Sequence, residues 1–266
     1  MHTIVIQSYR TDNTPAWLQR CMQTVKAWAD SSGYEYLFID DALFEYVPRR
    51  FRTPAPVSLL PLTDLARLGI LREKLASGYE RALWVDADVV IFRPDEFRIP
   101  NSCGALLCHE IWTRMDAQGQ VQHERCINNA VMVFDRGHPL LDFLHHAAME
   151  LFAHLEPAKI HTTTIGTDFL TRLGRLYPMR LMTDVACLSP MLIHALATGQ
   201  QPGLLQEHAM HFGAPFHAAN LCRSLLESES SNSSRRAELN AAQLNGVVEK
   251  IIATGSEVLS PLRKNA

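Results

Sequence analysis

Long apolar runs are missing from this chain. Nowhere in its 266 residues does a stretch approach the roughly 18 uncharged apolar residues of a membrane-spanning helix. The opening "MHTIVIQSYRTDN" turns polar after a handful of apolar positions, too short for a secretory leader. These two absences predict a soluble, cytoplasmic protein and leave peripheral membrane association open. An excess of positive charge is missing too. The 25 Lys and Arg face 28 Asp and Glu for a formal net charge of -3, so the basic footprint of a nucleic-acid binder is absent. Paired cysteines are likewise lacking. Cys21, Cys103, Cys108, Cys126, Cys187 and Cys222 are scattered with no CxxC, mostly in apolar surroundings that predict reduced, buried thiols. Cys103, Cys108, His109 and Cys126 lack the tight paired spacing usual for zinc. There is no internal repeat.

What the chain does hold is core-forming material. Hydrophobic residues make up 47% of it, enough for one large domain or one domain with a C-terminal extension. "TIVIQSY" (3–9) predicts a first strand. A helix is predicted over 15–33, with Pro15 at its start, Gly33 past its end, and Trp17, Leu18, Cys21, Val25 and Trp28 at helical spacing. "YEYLFID" (34–40) predicts a second strand, and the Pro-rich crossing 47–61 irregular structure. "LTDLARLGILREKLASGYE" predicts a helix capped by Thr63 and ended by Gly78. "RALWVDADVVIF" (81–92) supplies the third strand. That order implies an α/β fold with a mostly parallel central sheet covered by helices on both faces.

Further strands are predicted at 104–111 and 127–135 around a polar loop, 112–125. Helices follow at 138–155 and 166–176, then strands around "MRLMTDVACL" and at 207–212. The main domain is expected over 1–225. The Ser-rich, charged 226–236 reads as a loop or linker, and 237–266 as a C-terminal helical extension.

Within the third strand stand two carboxylates, Asp86 and Asp88. In an open parallel sheet, ligands sit beyond the carboxyl ends of the strands. Period-two alternation would turn Asp86 and Asp88 to one side and Ala87 away. Two carboxylates held together repel unless a cation joins them. A hard divalent ion such as Mg²⁺ or Mn²⁺ fits, and such ions also hold substrate phosphates. The plain alternative is a pair of solvated or capping aspartates at a strand end.

The stretch "TDLARLGILREKLASGYERALWVDADVVIF" resembles the core of sugar-nucleotide glycosyltransferases of the GT-A, Rossmann-like fold. It is most similar to the subgroup with an Asp-x-x-Arg helix before the Asp-x-Asp strand. That subgroup includes yeast initiating α-1,6-mannosyltransferases, bacterial capsule enzymes and the clostridial glucosylating toxins. "SGYERA" stands where the family has "GG-x-Y". The resemblance implies a nucleotide diphosphate sugar donor (UDP- or GDP-linked), Mn²⁺ or Mg²⁺, and a hydroxyl-bearing acceptor: glycan, lipid-linked sugar, protein or small molecule. It implies that Arg67 helps hold the donor and that Asp64 contacts sugar hydroxyls. By the same match Asp86 serves the ribose and a metal-bound water, and Asp88 is the direct metal ligand.

"INNAVMVFDRGHPLLDFL" is similar to the family's Asn-containing strand, so Asn128 or Asn129 would face the donor sugar, with a simple turn-forming pair as the alternative. "TTTIGTDFLTRL" resembles a donor-side Thr-Gly-Pro segment; Gly166 matches, and Thr167 stands where Pro is usual. Asp168 either binds acceptor or donor or caps its helix. His211, ahead of "FGAP", resembles the C-terminal metal-binding His of glycogenin-like transferases, with His208 and His217 nearby and a structural role as the alternative.

The subgroup retains anomeric configuration, which implies retention here. An inverting route would need a base, with Asp168 and Glu110 as candidates. Two rivals remain. A haloacid-dehalogenase-type phosphatase also places Asp-x-Asp after an apolar strand and uses the first Asp as nucleophile; here some eighty residues precede the motif. A non-catalytic nucleotide-sugar-binding scaffold would need the same residues.

Overall fold

Residues 1–52, 59–156, 159–200, 202–212, 215–224 and 239–259 are described by the structure, a computed structural model. Its six-stranded sheet has the order β2-β1-β3-β6-β5-β7. Strands β1 (Thr3–Ser8), β2 (Glu35–Ile39) and β3 (Arg81–Val85) pair in parallel. β6 (Val121–Asp135) runs antiparallel to both β3 and β5 (Ala105–Met115), and β7 (Leu181–Met182) pairs in parallel with β5. Only β6 runs against the rest, so the sheet is mostly parallel, as predicted. A smaller sheet, β4-β9-β8, joins Val89–Ile91, Ala218–Asn220 and Val185–Cys187.

Both faces of the large sheet are buried, and the alternation of side chains assigns each residue to one of them. Ile4, Ile6, Ala82, Trp84, Met132 and Phe134 pack under α3 (Leu60–Ala76) and α4 (Pro139–His154). Val5, Leu83, Val85, Val131 and Val133 pack on the opposite side with Val25 and Trp28 of α1 (Ala16–Ser31). Pro15 leads into α1 and Gly33, at φ +70°, follows it, as the sequence implies. Gly69 of α3 lies against the 3-10 turn Asp41–Tyr46, where a Cβ would meet the Tyr46 carbonyl oxygen at 3.1 Å. That close approach seats the helix flush with the turn.

Five expectations are corrected. The single strand predicted over 81–92 ends at Val85, and Val89–Ile91 pairs in the smaller sheet instead. The helix predicted to start at a Thr63 cap begins at Leu60, and the Thr63 hydroxyl donates back to the Leu59 carbonyl instead. The predicted polar loop 112–125 is a β-hairpin in which β5 runs on to Met115 and β6 starts at Val121. Its inward positions, Ile111 and Thr113, are buried, and Asp116 closes its turn by accepting from the Gln118 and Gln120 N–H groups. The strand predicted over 207–212 is the end of helix α7 (Pro202–Phe212), whose Leu204, Leu205, His208 and Ala209 are buried at helical spacing. The strand around "MRLMTDVACL" is divided into β7 and β8 (Val185–Cys187).

The remaining helices are the single turn α2 (Arg49–Arg52), α5 (Thr167–Gly174), α6 (Pro190–Thr198) and α8 (Ala241–Val258). α8 opens with a capping box between Asn240 and Gln243 and buries Val247, Val248 and Ile251 in the core shared with α1 and α6. The Ser-rich 226–236 stretch and part of the 47–61 crossing lie outside the described residues. Among the described residues, no helix is long and apolar enough to cross a membrane.

Candidate functional site

The buried strand β3 stops at Val85, and the chain turns so that the Val89 N–H reaches the Asp86 carbonyl. The strict alternation read from the sequence therefore ends at the motif itself, and the two aspartates have different partners. Asp86 Oδ1 accepts from Trp84 Nε1 at 2.6 Å and lies 3.1 Å from Arg67 Nη1. Its backbone is fixed as well, since its N–H donates to the Ala130 carbonyl and its own carbonyl accepts from Gln7 Nε2. Asp88 Oδ2 accepts from the Arg223 N–H at 2.7 Å, and its carbonyl accepts from the Leu221 N–H. The segment following β9 thus wraps over Asp88.

The Asp-x-x-Arg pair comes to the same edge. Arg67, 6% exposed, directs Nη1 to Asp86 and to the Asn129 carbonyl (3.0 Å), and its Nη2 stands 3.3 Å from Asp64 Oδ1. Its guanidinium lies 5.1 Å from the centre of the Trp84 ring. Asn129 Nδ2 donates to Asp64 Oδ1 at 2.9 Å, while Gly166, just ahead of α5, lies so near that a Cβ there would stand 2.9 Å from Asp64 Oδ2. A narrow cavity beside them is lined by Asp64, Arg67, Asn129, Met132, Ile165 and Phe169 among others.

Burial dominates the electrostatics. It pushes the Asp64 carboxyl up to about 6, with Arg67 and Asn129 pulling the other way. It raises Asp86 too, opposed by Arg67 and Trp84. Asp88 is pushed up to about 6 by burial and then by the charge of Asp86, with the Arg223 N–H opposing. Asp86 is engaged through Oδ1 and Asp88 through Oδ2, with the backbone N–H of Asp88 also turned to its own carboxylate. Two buried carboxylates one residue apart, the charge of Asp86 opposing ionisation of Asp88, offer the oxygen donors that a hard divalent cation such as Mg²⁺ or Mn²⁺ takes.

The other predicted residues have partners of their own. Asn128 turns to the far side of β6 from Asn129, donating to Glu110 Oε2 at 2.8 Å. Glu110 is buried, its carboxyl raised by that burial. Thr167 opens α5, and Asp168 in its first turn is exposed and accepts from the Thr163 hydroxyl at 2.6 Å. His208 is buried against Thr113, and burial lowers it to about 3, a neutral imidazole. His217 lies between Asp184 (3.2 Å) and Glu96 (3.6 Å). His211, expected as a metal ligand beside Asp86 and Asp88, is on α7 and is grouped instead with His123 and Glu207. The six cysteines are free thiols, five of them buried.

Three contributors escaped the sequence reading: Trp84, Gln7 and the backbone of Leu221 and Arg223. Gln7 carried a signal, as a polar residue closing an apolar strand at the sheet's carboxyl edge. Trp84 read as core, and core is where its ring lies; only its indole N–H serves Asp86.

No protein-family model and no curated protein matches the chain. Solved structures with a similar shape include a glycosyltransferase involved in glycosylation of the major capsid of PBCV-1, at 12% identity, covering 92% of this chain and 98% of that one with a TM-score of 0.49. The galactosyltransferase LgtC, in complex with donor and acceptor sugar analogues, covers 93% and 95% at 12% identity, TM-score 0.43. Mouse xyloside xylosyltransferase 1 covers 84% and 98% at 13% identity, TM-score 0.42.

Proposed function

We propose that this chain is a metal-dependent glycosyltransferase that moves a sugar from a nucleotide diphosphate sugar to an acceptor hydroxyl, with retention of configuration. One observation carries this reading: Asp64, Arg67, Asp86 and Asn129 form one bonded group at the carboxyl edge of the sheet, against Gly166. Ligands of open α/β sheets bind at that edge. Bound between Asp86 and Asp88, Mn²⁺ or Mg²⁺ would supply a Lewis acid for the diphosphate leaving group.

The chain's own residues divide the remaining work. Arg67 spends its terminal nitrogens on Asp64, Asp86 and Asn129, so it positions the carboxylates that meet the donor. Asp64 and Asn129, together with Gly166 and Thr167 at the start of α5, take the hydroxyls of the sugar. Asp86 serves the ribose or a metal-bound water. Asn128 faces Glu110 on the other side of β6, so of the two asparagines Asn129 is the one for the donor sugar. Asp168, two residues past Gly166 and exposed, faces the acceptor. Glu110 is buried and engaged with Asn128, a poor station for the base of an inverting route, which leaves the exposed Asp168 as the base such a route would use. Retention rests on the resemblance of the Asp-x-x-Arg and Asp-x-Asp segment to a retaining subgroup.

The test is incubation with a panel of UDP- and GDP-sugars, with and without Mn²⁺, with product anomers read by NMR. Mn²⁺-dependent transfer giving the donor's anomer is expected. Metal-independent binding without turnover would mark a scaffold, and phosphate release from simple phosphoesters a phosphatase. Either result overturns the reading.

A further inference from the structure

The hairpin of β5 and β6 carries His123 to the side of α7, where Glu207 and His211 are spaced i, i+4 on one helix face. His123 Nε2 is buried, makes no hydrogen bond among the described residues, and has Glu207 Oε1 at 3.2 Å. The imidazoles of His123 and His211 lie with ring centres 4.1 Å apart. One nitrogen from each ring and a Glu207 oxygen all fall within 4.8 Å of one another. The other nitrogen of His123, Nδ1, is 3.0 Å from the Thr113 hydroxyl, which is itself 3.0 Å from His208 Nδ1. Thr113 is 1% exposed and His208 is fully buried, so the His123 ring is held from behind by a fixed chain. Metal-binding imidazoles are held in this way, with one nitrogen oriented by a partner and the other left for the ion.

We propose that His123, Glu207 and His211 form a site for a borderline divalent transition ion, zinc foremost, which ties the hairpin to α7. Two imidazoles and a carboxylate are a zinc donor set with a fourth position left for water, and they suit Mg²⁺ poorly. Donors of a tetrahedral zinc lie about 3.3 Å apart. His123 already meets that spacing with Glu207, and His211, on the exposed side of α7, has room to close the rest. This site uses none of the groups around Asp86 and Asp88, so it stands or falls separately from the transfer reaction.

The full chain, stripped with EDTA, is titrated with ZnCl₂ against a chromophoric chelator in the presence of millimolar Mg²⁺. One tight zinc equivalent is expected, and the Co²⁺-loaded protein should show a tetrahedral visible absorption band. His211→Ala and Glu207→Gln should each weaken zinc at least about 100-fold, and Thr113→Val about 10- to 100-fold. Asp88→Asn should keep the tight equivalent. Both α7 variants alter exposed or half-exposed side chains, and a far-UV spectrum of each metal-free variant checks that it folds. Zinc affinity unchanged in His211→Ala and Glu207→Gln, or a tight equivalent lost in Asp88→Asn, overturns the assignment.

Discussion

Arg67 Nη1 stands 3.1 Å from Asp86 Oδ1 and 3.0 Å from the Asn129 carbonyl, so one guanidinium joins α3 to the end of β3 and the middle of β6. It also faces Asp64, which makes it the charge that offsets the burial of two carboxyls. Removing one member of a buried ion pair leaves the other uncompensated, at a cost of about 3–5 kcal/mol. Arg67→Met should therefore lose stability on that scale in urea unfolding at pH 7. The loss should shrink near pH 4, where Asp64 is protonated. Arg67→Lys, with a point charge in place of the planar fork, should fall between the two.

Asp88→Asn tests the metal reading with little disturbance of the fold, because an amide oxygen can still accept from the Arg223 N–H. A Lewis acid worth several kcal/mol in the transition state corresponds to at least about 100-fold in rate. Mn²⁺-dependent kcat should drop by that factor, and Mn²⁺ binding followed by EPR should weaken in parallel. Full transfer by the variant would remove Asp88 from the metal's ligands.

The pH dependence attached to Asp64 has a definite sign. Its carboxyl sits at about 6 when folded against 3.8 as the ordinary value, so the folded chain keeps a proton that the unfolded chain has released. Stability from this group is present below pH 4 and declines as pH rises to about 6, by roughly 3 kcal/mol at most. In Asp64→Asn that slope should vanish. Subtracting the two urea-unfolding curves between pH 4 and 7.5 isolates it, since the other titrating groups cancel. A flat difference would show that Asp64 ionises normally.

The sequence made the sheet and the Asp64–Arg67–Asp86 group legible because both rest on local pattern. An all-apolar "RALWV" announces a strand buried on two faces, and an i, i+3 pair on a helix needs no tertiary knowledge. The hairpin was hidden because "WTRMDAQGQVQHER" is polar on its outward face and long-range contacts bury only Ile111 and Thr113. "EHAMHF" is too short, at six residues, to show a helical period by itself. Its helical period appears only when Leu204 and Leu205 are counted with it. The hold on Asp88 was illegible for a different reason. It comes from backbone N–H groups of Leu221 and Arg223, 133 and 135 residues onward, and a backbone donor leaves no mark on side-chain identity.

Gly166 offers a steric test of how tightly the donor side is built. Its φ of -88° is negative, so the objection to a side chain here is space and not the hand of the backbone. A Cβ would stand 2.9 Å from Asp64 Oδ2 and 3.2 Å from Asn129 Nδ2. Neither neighbour gives way freely, because Asp64 is bonded to Asn129 and faces Arg67, and Arg67 is tied to Asp86. Overpacking of this kind costs about 1–3 kcal/mol, or a fall in Tm of roughly 2–12 °C for a chain of this size. Gly166→Ala should show that fall. It should also raise the KM for the sugar nucleotide more than it lowers kcat, because Asp64 and Asn129 are displaced while Asp88 is untouched. Thermal melting and donor titration of the same preparation check both halves. Wild-type melting with wild-type KM would show that α5 does not press on Asp64 as closely as the structure places it.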